Sequence, residues 1–350
     1  MLSSRLGSLS AYRTETTPAR IKLSSNELSI DFPQYVKERI CRLVAELPIN
    51  RYPDPSAREL KEVIAQRFGT SPENLVLGNG SDELVYYLSM VVGEEGSGVF
   101  YPVPTFSMYG ISAQVVGRKR LQVRLDENFD IDLETSLRLI KEEKPALAYF
   151  AYPNNPTGNT FNRQKMEAIR EQGVFTVVDE AYYHYCGKTF LEDALRRDDT
   201  VVLRTLSKIG MAGLRVGVLV GRRELVKELE KVRLPFNITY PSQAIAVLLL
   251  RDYYHLIEEA VARVVQERER LFAELSKMEL ITPYPSEANF ILFKSHVPAS
   301  VLHKKLIEKG VLIRDFSYME GLENCLRVSV GKPEENDAFL EALTQALREL

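Results

Sequence analysis

Between Asn50 and Val220, short apolar runs (LVLG, GVFY, ALAYFAY, VFTVVD, TVVLRTLS and RVGVLVG) alternate with amphipathic stretches such as RELKEVIAQRF and RQKMEAIREQG. Runs rich in β-branched and aromatic residues read as buried strands, and stretches with apolar positions three and four apart read as helices. Their alternation predicts an α/β fold, a mostly parallel sheet flanked by helices. Past Pro241 the pattern changes. Ser242 to Met278 contains no Gly or Pro and repeats its apolar positions at helical spacing, which predicts one long helix leading into a second unit. ANFILF and LRVSVG, with the helical HKKLIEKG between them, predict a smaller α+β domain completed by the first forty-odd residues. The expected division is residues 1–45 as a segment contributing to the small domain, 46–241 as the large domain, and 242–350 as the long helix and small domain.

At 350 residues, 45% apolar and 27% charged, the chain can bury a sizeable core. Lys plus Arg number 45 against 48 Asp plus Glu, and a net charge of −3 gives no electrostatic reason to expect nucleic acid or an anionic membrane as partner. Cys41, Cys186 and Cys325 are widely spaced, and His184, His255, His296 and His303 form no ligand pattern, so no catalytic metal is expected. The N-terminus has no apolar leader core, and the longest aliphatic run, Ala244 to Leu250, stops at Arg251, far short of a membrane span. These features predict a cytoplasmic protein acting on small molecules.

The candidate chemistry lies just after strand-like runs, where open α/β sheets bind ligands. Asp179 ends VFTVVD, and a lone carboxylate there reads first as a helix cap. TVVLRTLSKIGMAGLR delivers Ser207, Lys208 and Arg215 together. Covalent carbonyl chemistry needs a desolvated amine with a nearby cation, and a phosphate needs hydroxyl and guanidinium donors. LVLGNGSDELVYYL runs from a strand through Gly78-Asn79-Gly80 into a helix at Ser81, which suits an anion at a helix start or a plain cap. Glu83 stands where a dinucleotide fingerprint would have its third Gly, and no GK[ST] follows. Asn154-Asn155-Pro156-Thr157-Gly158 follows YFAY as a turn sequence.

Taken together and in order, KLSSNE, NRYPDP, PTFSMYG, PNNPTG, VVDEAYY, SK followed by MAGLR, ANFILF and LRVSVG resemble the fold-type I pyridoxal-phosphate aminotransferases, most closely the histidinol-phosphate aminotransferase family. The resemblance spans nearly the whole chain. It implies pyridoxal 5'-phosphate as cofactor, with Lys208 as the Schiff-base lysine and Asp179 paired to the pyridine nitrogen. Asn155 and Tyr182 would bond the ring hydroxyl oxygen, and Tyr109 would stack on the ring. The Ser81 and Asp82 amides, Ser207 and Arg215 would hold the phosphate, and Tyr52 would reach over from the other subunit of a homodimer with shared sites. Arg327 would bind the substrate carboxylate, its planar fork suiting a two-point anion contact. Arg314, Asn289 and Tyr12 correspond to positions near the far end of the substrate. The implied reaction is amino transfer between an L-amino donor, with histidinol phosphate the best single guess, and 2-oxoglutarate.

Two departures from the family pattern stand out. The phosphate arginine usually follows the lysine by eight residues, and here 215 − 208 = 7. The N-terminal motif, normally NENP, reads Asn26-Glu27-Leu28-Ser29. The rival readings are an aminotransferase for aromatic or other amino acids, a lyase on the same scaffold such as a threonine-phosphate decarboxylase, and a nucleotide-binding oxidoreductase suggested by the alternating strands and Gly78-Asn79-Gly80. A non-catalytic binding protein would leave Lys208 and Asp179 without purpose.

Overall fold

The computed structural model describes residues 17–350 together with Gly7 and Leu9. Thirteen strands are present among them: β1 (Ile21–Lys22), β2 (Leu75–Asn79), β3 (Gly98–Val103), β4 (Lys119–Arg124), β5 (Leu147–Ala151), β6 (Phe175–Asp179), β7 (Thr200–Thr205), β8 (Val216–Val220), β9 (Ile281–Pro283), β10 (Phe290–Ser295), β11 (Val311–Leu312), β12 (Arg314–Asp315) and β13 (Cys325–Ser329). Seven of them form one sheet in the order β2-β8-β7-β6-β5-β3-β4. β4, β3, β5, β6 and β7 pair in parallel, and β8 runs antiparallel to both β7 and β2. The sheet is therefore parallel except for one strand.

Adjacent residues of the central strands enter opposite cores, because successive side chains point to opposite faces. Phe100, Phe150, Val178, Val202 and Val218 join the core on one face, with Leu60 and Ile64 of the helix Arg58–Phe68. Their neighbours Val99, Tyr149, Val177, Leu203 and Leu219 join the core on the other face, with Leu84, Val85 and Leu88 of the helix Ser81–Val91. Burial on both faces explains why these strands read as continuous apolar runs.

The smaller unit is an antiparallel sheet, β12-β13-β10-β9. Its core joins Ile291, Phe293, Leu326 and Val328 to Leu302, Leu306, Phe339 and Leu343 of two covering helices. The N-terminal stretch serves both units. Ile21 and Leu23 enter the small core, and β1 pairs in parallel with β11. The helix Gln34–Ala45 instead buries Val36 in the large core.

The single long helix expected from Ser242 to Met278 is two helices, Tyr240–Asp252 and Tyr254–Leu275. Neither Gly nor Pro breaks it. Tyr253 takes φ −125° and ψ 17°, and Arg67 donates to the carbonyls of Leu250 and Arg251, supplying partners that continued helix would otherwise provide. Tertiary capping overrides a uniform local pattern here.

The site end of the large sheet depends on a close backbone approach. A Cβ at Gly217 would collide with the Gly80 carbonyl carbon and the Ser81 amide nitrogen, whereas one at Gly213 would meet nothing within 4 Å. Gly217→Ala is expected to lower stability by about 1–3 kcal/mol, with Gly213→Ala near neutral, since rigid backbone cannot yield as a side chain does. Thermal unfolding of the two variants checks this, and equal melting temperatures would contradict it.

Candidate active site

Strand ends on one edge of the large sheet bring the chemistry-bearing residues together. β5, β6 and β7 run parallel and lead at their carboxyl ends to Asn155, Asp179 and Lys208. β2 leads to Gly80 and the helix that opens with Ser81 and Asp82. β8 is antiparallel, so it begins at this same edge and carries Arg215 just before its first residue.

Asp179 is buried. The Tyr109 hydroxyl donates to its Oδ2 at 2.8 Å and the Ala181 amide to its Oδ1 at 3.1 Å. Among the described residues no cation pairs with it, and desolvation pushes its carboxyl up to about 6 despite those two bonds. Tyr109 is itself fully buried, one ring face stacked on Tyr149 at 4.7 Å.

The next residue, Glu180, turns away into a separate network. Arg204 pairs with its Oε2 at 2.9 Å, while the Thr189 hydroxyl and the Phe190 amide donate to its carboxylate. The Arg204 guanidinium lies over the rings of Phe68 and Tyr183, at 4.6 and 3.7 Å. Glu180 and Arg204 did not stand out in the sequence; Arg204 is a charge inside an otherwise apolar strand, and Glu180 is simply the residue after Asp179.

Lys208 follows β7 in a short 3-10 turn, its amine 3.3 Å from the Ser25 carbonyl and 5.9 Å from the centre of the Tyr182 ring. Desolvation, and then the positive charge of Arg327, lower the amine to about 8. That places a substantial neutral fraction near physiological pH, as a nucleophilic amine requires. Tyr182 is buried, and Asn26 Nδ2 donates to its hydroxyl at 2.9 Å.

Asn155 is held by its neighbour. Asn154 accepts from Thr105 at 2.6 Å and donates to Thr157 and to the Pro104 carbonyl, fixing the turn. Arg327, on β13, donates to Asn155 Oδ1 and to the Ser24 carbonyl, with its guanidinium over Phe290 and Phe316 at 5.0 and 5.2 Å. Arg314 is its register partner on β12, so the two arginines share one face of the small sheet. Asn289, immediately before β10, donates to the Asn26 carbonyl at 3.0 Å.

Ser81 and Asp82 are the first two residues of their helix, and the cap residue Gly80 supplies no side chain to occupy the amides. The Arg215 guanidinium fills the space a Gly80 side chain would take and lies 3.4 Å from Asp82, while the Gly80 amide donates to the Arg215 carbonyl at 2.8 Å. Ser207 is buried beside Thr205, hydroxyl to hydroxyl at 3.0 Å. Tyr52 is not brought to this cluster within the chain. It is 78% exposed and stacks on Phe236 at 4.4 Å. Tyr12 lies outside the described residues.

The donor set fits pyridoxal phosphate. A buried carboxylate without a cation suits a protonated ring nitrogen, and a desolvated amine suits the aldehyde. Helix-start amides, a hydroxyl and a guanidinium around a glycine cradle suit the phosphate. No group of His, Cys, Asp and Glu that could hold a metal ion occurs among the described residues, and none of their helices is long and apolar enough to cross a membrane.

The family model for aminotransferase class I and II matches residues 18–343. Over the whole chain, and 99% of each relative, the sequence is 59% identical to histidinol-phosphate aminotransferase of Aquifex aeolicus (strain VF5) and 44% identical to that of Hydrogenobaculum sp. (strain Y04AAS1). The fold matches histidinol-phosphate aminotransferase from Sinorhizobium meliloti in complex with pyridoxal-5'-phosphate, with a TM-score of 0.89 and 24% identity over 99% of this chain and 98% of that one. With the family match and this site both in hand, the chain belongs to the class I and II aminotransferases, pyridoxal-phosphate enzymes of fold type I, and groups among them with the histidinol-phosphate aminotransferases.

Proposed function

We propose that this aminotransferase exchanges an amino group between histidinol phosphate and 2-oxoglutarate, as a homodimer with shared active sites in the cytoplasm. The observation that carries the substrate reading is the pairing of Arg327 and Arg314 in register on one face of the small sheet, with Phe316 near both guanidinium groups at 5.2 and 6.0 Å. Histidinol phosphate has no carboxylate, so its phosphate must be accepted where the 2-oxo acid places a carboxylate. Arginine forks serve both anions. The relatives named above support the same reading.

In this mechanism Asp179 would hold a proton at the ring nitrogen, and Asn155 and Tyr182 would bond the ring oxygen. Ser207, Arg215 and the Ser81 and Asp82 amides would hold the phosphate. Bound cofactor supplies an electron-accepting ring that lowers the cost of removing the proton from the carbon bearing the amine. Lys208 Nζ, with its lowered affinity for a proton, takes that proton and returns it elsewhere. Arg327 and Arg314 orient the substrate through its anionic end, and Asn289 braces the segment that faces it.

The dimer reading rests on exposed apolar residues of two segments, Ile49 (80% exposed) with Tyr52 and Leu234 with Phe236, which the Tyr52–Phe236 stack brings together. Clustered apolar surface of this kind marks a contact. A second copy seated there would bring Tyr52 to its neighbour's phosphate.

Mixing inactive Lys208→Ala protein with inactive Tyr52→Phe protein is expected to restore activity, because a mixed dimer has one site carrying neither lesion. No recovery after verified subunit exchange would place Tyr52 within its own site. Histidinol phosphate is expected to convert the enzyme far better than histidinol, by roughly 2–5 kcal/mol in kcat/KM, the cost of losing a buried, hydrogen-bonded anion–guanidinium contact. Good turnover of phenylalanine or aspartate with none of histidinol phosphate would leave only the aminotransferase class standing. A third expectation concerns cofactor-free protein. Since burial raises Asp179 from 3.8 to about 6, the wild type loses stability as pH rises through that window. Asp179→Asn should therefore melt higher than wild type at pH 8, and the gap should close below the lower of those two values. A gap that persists in acid would show that the carboxylate charge is not its source.

A further inference from the structure

The altered N-terminal motif holds a residue to which the sequence assigned no role. Asn26 is buried, takes φ 54°, and stands between the small unit and Tyr182. Its backbone amide donates to the Ser329 hydroxyl at 2.8 Å. With one lone pair of that oxygen engaged, the Ser329 proton is free to be donated, and it goes to Asn26 Oδ1 at 2.9 Å. The orientation of the Asn26 amide follows, because an oxygen that accepts from Ser329 leaves Nδ2 as the group facing Tyr182, 2.9 Å from its hydroxyl. A tyrosine hydroxyl that accepts from an amide must direct its own proton elsewhere. Among the described residues no other hydrogen bond reaches Tyr182 Oη.

We propose that Asn26, locked by Ser329, is a positioning residue that turns the Tyr182 hydroxyl into an obligate donor toward the cofactor's ring oxygen. The proposal rests on the reading of Tyr182 given under Proposed function. It also gives β13 a double part, since Arg327 and Ser329, two residues apart on one strand, reach Asn155 directly and Tyr182 through Asn26. The positive φ gives a backbone reason for asparagine here, as it is among the few side chains that tolerate this region. The carbonyl of the same residue is held by Asn289.

The holoenzyme offers a readout independent of turnover, the pH midpoint of the visible absorbance of the cofactor linked to Lys208. A donor to the ring oxygen stabilises its anionic form and so lowers that midpoint. The charged groups facing Lys208, which are Arg327, Glu27, Asp82 and Arg215, are left in place by the substitutions used. Asn26→Gly keeps the positive φ and deletes the amide. It is expected to raise the midpoint by about one pH unit or less, the size of one neutral hydrogen bond. Ser329→Ala, which frees the amide to flip, should raise it less, and it carries the test if the glycine variant fails to fold. In a Tyr182→Phe background neither substitution should move the midpoint further. An unchanged midpoint in Asn26→Gly, or an equal shift with and without the Tyr182 hydroxyl, would overturn the proposal. A Tyr182→Phe enzyme that titrates as wild type would instead remove Tyr182 from the ring oxygen, and Asn26 with it.

Discussion

A carboxylate buried at the end of a strand with no cation beside it is the constraint around which this site is built. Asp179 is desolvated, has two hydrogen bonds and no counter-charge among the described residues, so the folded chain carries a local electrostatic deficit that a protonated ring can relieve. The fold tolerates it because the surrounding sheet is packed on both faces and cannot relax toward water. Immediately beyond, Glu180 shows the opposite solution, a buried charge compensated by Arg204, a hydroxyl, an amide and two rings. Two adjacent acids thus divide the work. Glu180 ties the β6 turn to β7, and Asp179 is left uncompensated beside it. A cofactor whose protonated ring met Asp179 would link its own binding to the stability of the empty protein through one side chain.

How much of this was legible in the chain depends on whether the determinant was local. The large sheet was readable because burial on both faces writes an apolar run into its strands, the edge strand β4 with its alternating KRLQVR excepted, and the positions of Asp179 and Lys208 were readable because one ends such a run and the other follows one. The break at Tyr253 was not readable. Nothing in the sequence around it differs from helix, and its partner Arg67 lies some 180 residues earlier in the chain. Asn26 and Ser329 were hidden for the same reason, being joined by hydrogen bonds across 303 positions. Tyr52 carries a different lesson. Family likeness gave it a place in the site, but within one chain it sits on the surface against Phe236, so such a role would need a second copy.

The antiparallel strand β8 settles what the shortened spacing after Lys208 means physically. Lys208 is placed by the end of β7 and Arg215 by the start of β8, and the two strands are held in register from Val202 opposite Val220 to Thr205 opposite Gly217. The Arg215 carbonyl is fixed independently by the Gly80 amide. Neither anchor measures its position along the residues between them: Ile209 and Met211 are buried in the large core, and the 3-10 turn Ala212–Leu214 bridges from there to the returning strand. Gly213, in the middle of that turn, has open space around it. Such a turn can gain or lose a residue while both anchors stay where they are, and counting residues from the lysine is then the wrong ruler for locating the guanidinium. The measure that matters is distance from the first residue of the returning strand.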